Sequence, residues 1–387
     1  MKNAFVESTL ERGNDFLARS RSRMRREWLL ERVRTHRFGY TRRSSAGTVR
    51  ALFITHDHRI SHAQVHPFFY YRREILARFG WEFRQRTMAG FLAQPSPADE
   101  ADLVFVQPWF ELGADGISRL LDEVARRCRP SKVVFLDSFA PTDLRFASLL
   151  ADRVDVYVKK HVLRNRGQYQ DPVIGDTTLT DYFARRYALE LPTSRFDVPE
   201  RFLDKLLVGP SFPTDDWAME VLLAGKYVHH VKHWDVHARL GSGGARWYEL
   251  MRREAEEKIR SIAGIKPVVG FGAARRQYLK ELEGSRLCFS PFGYGEVAWR
   301  DYEAVVCGAV LVKPDMGHCE TNPNVFVPDE TYVPVRWDLA DLEEKVRSVL
   351  SRPQECERLA RNAFAVLTSY FAERRFVDQL APAISLG

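Results

Sequence analysis

Between two apolar runs, residues 290–315 read SPFGYGEVAWRDYEAVVCGAVLVKPD, with glycines, two glutamates, an arginine and a lysine at the junction where a strand should run into a helix. In α/β proteins ligands sit at such junctions, because strand carboxyl ends and helix amino ends converge there. The preceding RLCFSPFG reads as a buried strand closed by Pro291, which cannot donate to a ladder. Gly293 and Gly295 then allow a tight turn and close backbone approach to a ligand, with free amides at the following helix start suited to an anion such as phosphate. The stretch is neither a Walker loop nor a G-x-G-x-x-G turn after a first strand.

On a helix beginning near Val297, Arg300 and Glu303 are three apart and Glu296 lies one turn before Arg300, so the three share a face. Val297, Tyr302, Val305 and Val306 form the apolar face, and Gly308 suits the position just past the helix end. A carboxylate at Glu303 can accept from two adjacent hydroxyls, as on a ribose, while Arg300 and the helix start favour a diphosphate. The plainer alternative is an ion pair on a solvated helix face. The glycines, and Lys313 at the next strand end, favour a binding site.

The elements that must position these residues alternate along the chain. Short apolar runs and helical periodicities follow one another from residue 48, the signature of βαβ units on a parallel sheet. Strands are expected in VRALFITHDHR (ending near Thr55), ADLVFVQPWF, KVVFLDSF and VDVYVKKH, with a helix over 66–79. Periodicity fades between 164 and 220 into Gly, Pro, Asp and Thr, which reads as a long connection. A second alternation follows through HWDVHARLG, KPVVGFG, RLCFSPFG and AVLVKPD, and helices close the chain. The expected fold is α/β, two Rossmann-like domains facing across a cleft, with a basic helical arm over 1–47, a first domain over 48–200 and a second over 201–387. Length agrees: 387 residues suit two domains of roughly 150–200 residues each.

The formal charge of +7 is concentrated. Residues 1–47 hold 12 Lys and Arg against 5 Asp and Glu, leaving 46 of each sign for the rest of the chain. Such an arm could dock on anionic lipid headgroups, or serve as a solvated or oligomer-forming helix. A body without net positive charge disfavours specific nucleic-acid binding. The five cysteines are odd in number and form no C-x-x-C pair, so a reduced compartment and no structural zinc are expected, with Cys288 and Cys307 as buried small hydrophobes. No apolar run approaches the length needed to span a bilayer and no secretory signal is visible. The expected location is cytoplasmic, peripheral on the membrane if the arm binds there.

The order of strand, SPFGYGE, and a helix containing YEAVVCGAVLVKP resembles the donor-binding segment of GT-B glycosyltransferases, where an E-A-x-x-x-G-x-x-x-[IV] element follows a glycine-containing loop. The resemblance is clearest over 230–350. It implies that Glu303 binds the ribose of a sugar nucleotide, and that a basic residue after the first strand of the second domain contacts the diphosphate. Arg239 stands there, with Gly241, Gly243 and Gly244 beside it. In the retaining families a second glutamate eight positions earlier contacts the transferred sugar; here Gly295 holds that position and Glu296 is seven before Glu303. Either Glu296 takes the role with a shifted loop or the role is missing. The family's implied chemistry is sugar transfer from a nucleotide sugar to a glycan or lipid-linked acceptor, as in cell-surface polysaccharide synthesis, without a bound metal or other cofactor.

An inverting transferase needs a general base near the acceptor hydroxyl. His56 and Asp57, in THDHR after the first strand, and Asp137, ending a later strand, are the candidates; helix capping is the alternative for the first pair. The histidines 229, 230, 233 and 237 read as polar packing. Two other readings remain: a sugar-nucleotide epimerase or hydrolase of the same architecture, and a non-catalytic protein binding nucleotide sugars or anionic polymers.

Overall fold

A computed structural model describes residues 48–209 and 216–385. The chain divides into two compact units, one comprising 48–209, 317–323 and 370–385, the other 216–316 and 324–369. Each is built on its own parallel sheet, as two Rossmann-like domains. The basic arm expected over 1–47 lies outside the described residues.

The first unit holds β1 (Val49–Thr55), β2 (Trp81–Thr87), β3 (Leu103–Gln107), β4 (Lys132–Asp137) and β5 (Val156–Lys159). Three short strands follow, β6 (His161–Leu163), β7 (Val173–Ile174) and β8 (Thr193–Ser194), and then β9 (Leu206–Val208). The main sheet runs β2-β1-β3-β4-β5-β9. The unbroken apolar runs Ala51–Ile54 of β1, Leu103–Val106 of β3 and Val133–Leu136 of β4 suit strands covered on both faces. Phe53 of β1 and Phe105 of β3 are register partners, and their rings stack at 4.2 Å in the core.

Three features differ from the sequence expectation. β2 was hidden because WEFRQRT carries a charge at every second position and so lacks the apolar run of an inner strand; it lies at the edge of the sheet. The helix expected over 66–79 is two helices, α1 (Arg59–Tyr70) and another over Arg72–Phe79. β9 pairs with β5, so Leu206–Val208 belong to the first unit, past the expected 200/201 boundary.

The second unit holds β10 (Trp234–Ala238), β11 (Pro267–Val269), β12 (Ser285–Phe289), β13 (Val310–Pro314) and β15 (Tyr332–Val335), in the order β11-β10-β12-β13-β15. Its helices include α2 (Arg246–Ser261), α3 (Arg275–Glu283) and α4 (Trp299–Val306). Val236, Leu287, Phe289, Val310 and Val312 from the strands meet Ala255 and Ile259 of α2 in the core. Between β13 and β15 the chain contributes β14 (Cys319–Thr321) to the first unit, where it pairs antiparallel with β6. The final helix, Arg375–Ile384, also belongs there, with Phe376 set edge-on against Phe68 of α1 at 4.9 Å. No disulfide joins the five cysteines, and four of them are buried. Among the described residues no helix is long and apolar enough to cross a membrane.

Candidate functional site

Residues 290–298 form the loop between β12 and α4 at the carboxyl edge of the second sheet, and the rest of the 290–315 stretch is α4 and β13. The amide of Gly293 donates to the carbonyl of Gly295 at 3.0 Å, closing a tight turn. A Cβ at Gly293 would stand 3.9 Å from Nη2 of Arg252, so this guanidinium lies directly against the turn. Arg252 comes from α2, is 7% exposed and packs over the ring of Tyr248 at 4.9 Å. Its Nε has no hydrogen-bond partner, and among the described residues no carboxylate pairs with it. Burial holds its pKa down, to about 10. A buried guanidinium without a directly paired carboxylate is costly, and one set against a glycine turn can take an anion as its partner.

Arg300, in the first turn of α4, is the second such group. Its Nη2 donates to the carbonyl of Arg239, while its Nη1 is buried and unpartnered. Glu303, one turn on, is 6% exposed; its carboxylate accepts from the Tyr278 hydroxyl at 2.8 Å and from the Arg275 guanidinium, both on α3. Arg275 also lies over the rings of Trp217 and Tyr278. Beneath them His237 of β10 is fully buried, edge-on to Tyr278 at 5.0 Å, with neither ring nitrogen hydrogen-bonded. Burial, reinforced by Arg300, pushes its pKa down to about 3, which keeps the imidazole neutral. Arg300 and Glu303 thus share a helix face as the sequence spacing implied. Glu296 is fully buried but precedes the helix, which begins at Trp299 and not near Val297.

Two assignments need correction. Lys313 was expected to face the ligand from a strand end. It is fully buried, and its ammonium lies 3.1 Å from the carboxylate of Asp301, which also accepts from Ser290 Oγ at 2.6 Å and from the Ala298 amide at 2.8 Å. The α4 amino terminus is therefore capped by its own Asp301, whose charge Lys313 balances. Arg239 does follow β10 directly as expected, but its guanidinium forms a fork with Glu281, at 2.8 Å for one of its two bonds, so its charge is already matched. Gly241 follows it, with the ring of Phe271 lying 3.0 Å from where a Cβ would stand.

At the carboxyl edge of the first sheet, the His56 ring stacks on Trp109 at 5.3 Å, and the His58 ring lies 4.3 Å from the same indole. Asp57 is exposed. Asp137 ends β4 as expected but is 1% exposed: Lys159 Nζ and the Tyr157 hydroxyl each lie 2.5 Å from its Oδ2, and the Phe139 amide donates to Oδ1 at 2.7 Å. Buried, with both oxygens engaged by these partners, it has no access to an acceptor hydroxyl, which corrects its placement among the bases. Gln64 and Gln107 extend this buried network, Gln107 Nε2 donating to Gln64 Oε1 at 2.8 Å. Of the remaining histidines, His229 is exposed and faces Glu357 at 3.3 Å.

Sequence reading missed Arg252, Arg275, Tyr278 and Asp301. Arg252 left a signal: it shares the apolar stripe of α2 with Ala255 and Ile259, an unexpected place for a guanidinium. The others depend on which helix lies beside α4, and spacing does not carry that.

The family described as "Glycosyl transferase-like" matches residues 226–381, from ahead of β10 into the final helix. Among proteins with curated descriptions none matches. Similar solved structures include an alpha-glucosyltransferase in complex with UDP-glucose and DNA containing an abasic site, at 10% identity and TM-score 0.46, covering 86% of this chain and 99% of that one. Sucrose-phosphate synthase from Thermosynechococcus elongatus is similar at 12% identity and TM-score 0.44, covering 86% of this chain and 98% of that one. A glycosyltransferase from Rickettsia africae stands at 10% identity and TM-score 0.43, covering 86% and 99%.

Proposed function

We propose that the chain is a glycosyltransferase of the GT-B kind that moves a sugar from a nucleoside diphosphate donor to a glycan or lipid-linked acceptor; the glycosyl transferase-like match over residues 226–381 supports this reading. One observation carries the donor assignment: the buried guanidinium of Arg252, whose Nε has no hydrogen-bond partner, lies against the Gly293–Gly295 turn, and Arg300 on α4 adds a second buried nitrogen, Nη1, without a partner. A diphosphate supplies the missing counter-charge and accepts from the guanidinium forks. Glu303, with Tyr278 and Arg275 behind it, accepts from the ribose hydroxyls.

In the transfer step the bond between the sugar's anomeric carbon and the diphosphate oxygen breaks, and the acceptor oxygen takes that carbon. Negative charge gathers on the departing diphosphate. Fixed guanidinium charges near the turn stabilise it without reorganising, the role electrostatic preorganisation plays in such sites. On this reading the protein supplies the charge that a divalent cation supplies elsewhere, and turnover survives chelation by EDTA. His56, beside Trp109 on the first unit, is the proposed base for the acceptor hydroxyl. A role in cell-surface polysaccharide synthesis at the cytoplasmic face of a membrane follows from the sequence resemblance and the basic arm.

The test is nucleoside diphosphate release from UDP-, GDP- and dTDP-sugars, with CMP release from CMP-sugars as the contrast, measured with and without candidate glycan acceptors. Acceptor-dependent release supports transfer; turnover without acceptor indicates a hydrolase or epimerase, and binding without turnover a non-catalytic module. Glu303→Ala is expected to weaken nucleotide binding about tenfold, since two hydroxyl hydrogen bonds contribute about 0.5–1.5 kcal/mol each. Calorimetry showing unchanged affinity in a folded variant removes the ribose role. His56→Ala should lower acceptor-dependent turnover by about a hundredfold and leave donor affinity intact; full turnover would place the base elsewhere.

A further inference from the structure

Phe271 has no part in the donor site as described, yet it keeps 67% of its surface exposed at the edge of that site. It stands on the turn after β11, between Gly270 at φ +94° and Gly272 at φ +89°. Both angles lie where side-chain-bearing residues rarely go, so the Gly-Phe-Gly order fixes a turn that carries the ring outward. The inner edge of the ring rests on Gly241, 3.0 Å from the position of a Cβ there, and the guanidinium of Arg239 lies beside Gly270. A solitary exposed phenylalanine is ordinary on a protein surface. This one is held in a set orientation by a shaped turn and a bare glycine beneath it.

Its place relative to the other ligand groups follows from the sheet order β11-β10-β12. The Gly293–Gly295 turn with Arg252 lies at the end of β12, Arg239 and Gly241 at the end of β10, and Phe271 at the end of β11. Adjacent strands are about 4.8 Å apart, so the phosphate-side turn and the ring are separated by roughly two strand spacings. Four residues after Phe271, α3 begins at Arg275, which pairs with Glu303; Tyr278, one turn further, donates to the same carboxylate. In a nucleoside diphosphate the base and the diphosphate leave the ribose on opposite sides. With the ribose on Glu303 and the diphosphate towards Arg252, the base comes to the β11 side.

We propose that Phe271 is the platform on which the nucleobase of the donor stacks. This rests on the donor reading above and adds the recognition of the base. A phenyl ring offers a π face and no hydrogen-bonding group, so it favours any base over none and discriminates little among them.

Calorimetric titration of the full chain with UDP, GDP, ADP and inorganic pyrophosphate tests it, using wild type, Phe271→Ala and Phe271→Trp, with melting temperatures to confirm folding. Phe271→Ala is expected to lose about tenfold in affinity for the nucleoside diphosphates that wild type binds, with pyrophosphate binding unchanged and Phe271→Trp close to wild type. Wild-type affinity for these nucleotides in Phe271→Ala overturns the platform and leaves the donor site standing. An equal loss for pyrophosphate also overturns it, since the ring would then act on the phosphate side. If wild type binds none of the three nucleotides, the donor reading falls and the platform with it.

Discussion

Arg252→Met is expected to weaken nucleoside diphosphate binding by ten- to a hundredfold while leaving the melting temperature unchanged or higher. The loss follows from charge-assisted hydrogen bonds, which contribute roughly 1.5–3 kcal/mol each, at about 1.4 kcal/mol per tenfold in affinity. The stability effect has the opposite sign. This guanidinium is 7% exposed, its Nε has no hydrogen-bond partner and no carboxylate among the described residues forms an ion pair with it, and relieving a buried unsatisfied donor returns roughly 1–3 kcal/mol. Loss of the contact with the Tyr248 ring offsets part of that, by about 0.5–2 kcal/mol. Methionine fills a similar space with an unbranched apolar chain. Calorimetry for affinity and thermal unfolding for stability separate the two effects. A fall of several degrees with affinity intact would make Arg252 a structural residue and withdraw the diphosphate site. Arg300→Met should lower affinity in the same direction, since its Nη1 is the other buried unpartnered nitrogen.

The second large effect is expected at Lys313, with stability and binding exchanging places. Lys313→Met leaves the carboxylate of Asp301 buried with only the Ser290 hydroxyl and the Ala298 amide as donors. Breaking one side of a buried ion pair costs about 3–5 kcal/mol, a fall in melting temperature of roughly 10 °C or more for a domain of this size. Adding Asp301→Asn to Lys313→Met removes the stranded charge, so the double variant should recover most of the loss. Both variants are measured by denaturant unfolding, and by nucleotide titration where they fold. A Lys313→Met protein of wild-type stability that binds diphosphate weakly would restore the ligand-facing role expected from sequence.

The contrast between these residues shows what a one-dimensional pattern carries. Arg300, Lys313 and Arg239 looked alike in sequence, each a cation beside glycines at a strand or helix end. Spacing could place them at the carboxyl edge of one sheet, and all three are there. It could not tell which already had a partner. Asp301 lies twelve residues from Lys313, and Glu281 forty-two from Arg239; both pairings exist because separate elements are brought side by side. Asp137 illustrates the same limit in the first unit, its strand-end position correct and its carboxylate taken by Lys159 and Tyr157 of the neighbouring strand.

By itself the sequence determined the alternation of strand and helix, the parallel sheets, the β12 turn with its glycines and the face shared by Arg300 and Glu303. These depend on local periodicity and on the few residues that fit a tight turn. The tertiary structure decided which charges are balanced and which are left open. That is a question of long-range pairing in a low-dielectric interior, where a partner a few ångströms away outweighs any local preference. Arg252 is the clearest case: its position on the apolar stripe of α2 is written in the sequence, but only the packing of that helix beneath the Gly293–Gly295 turn aims an unpaired guanidinium at the site.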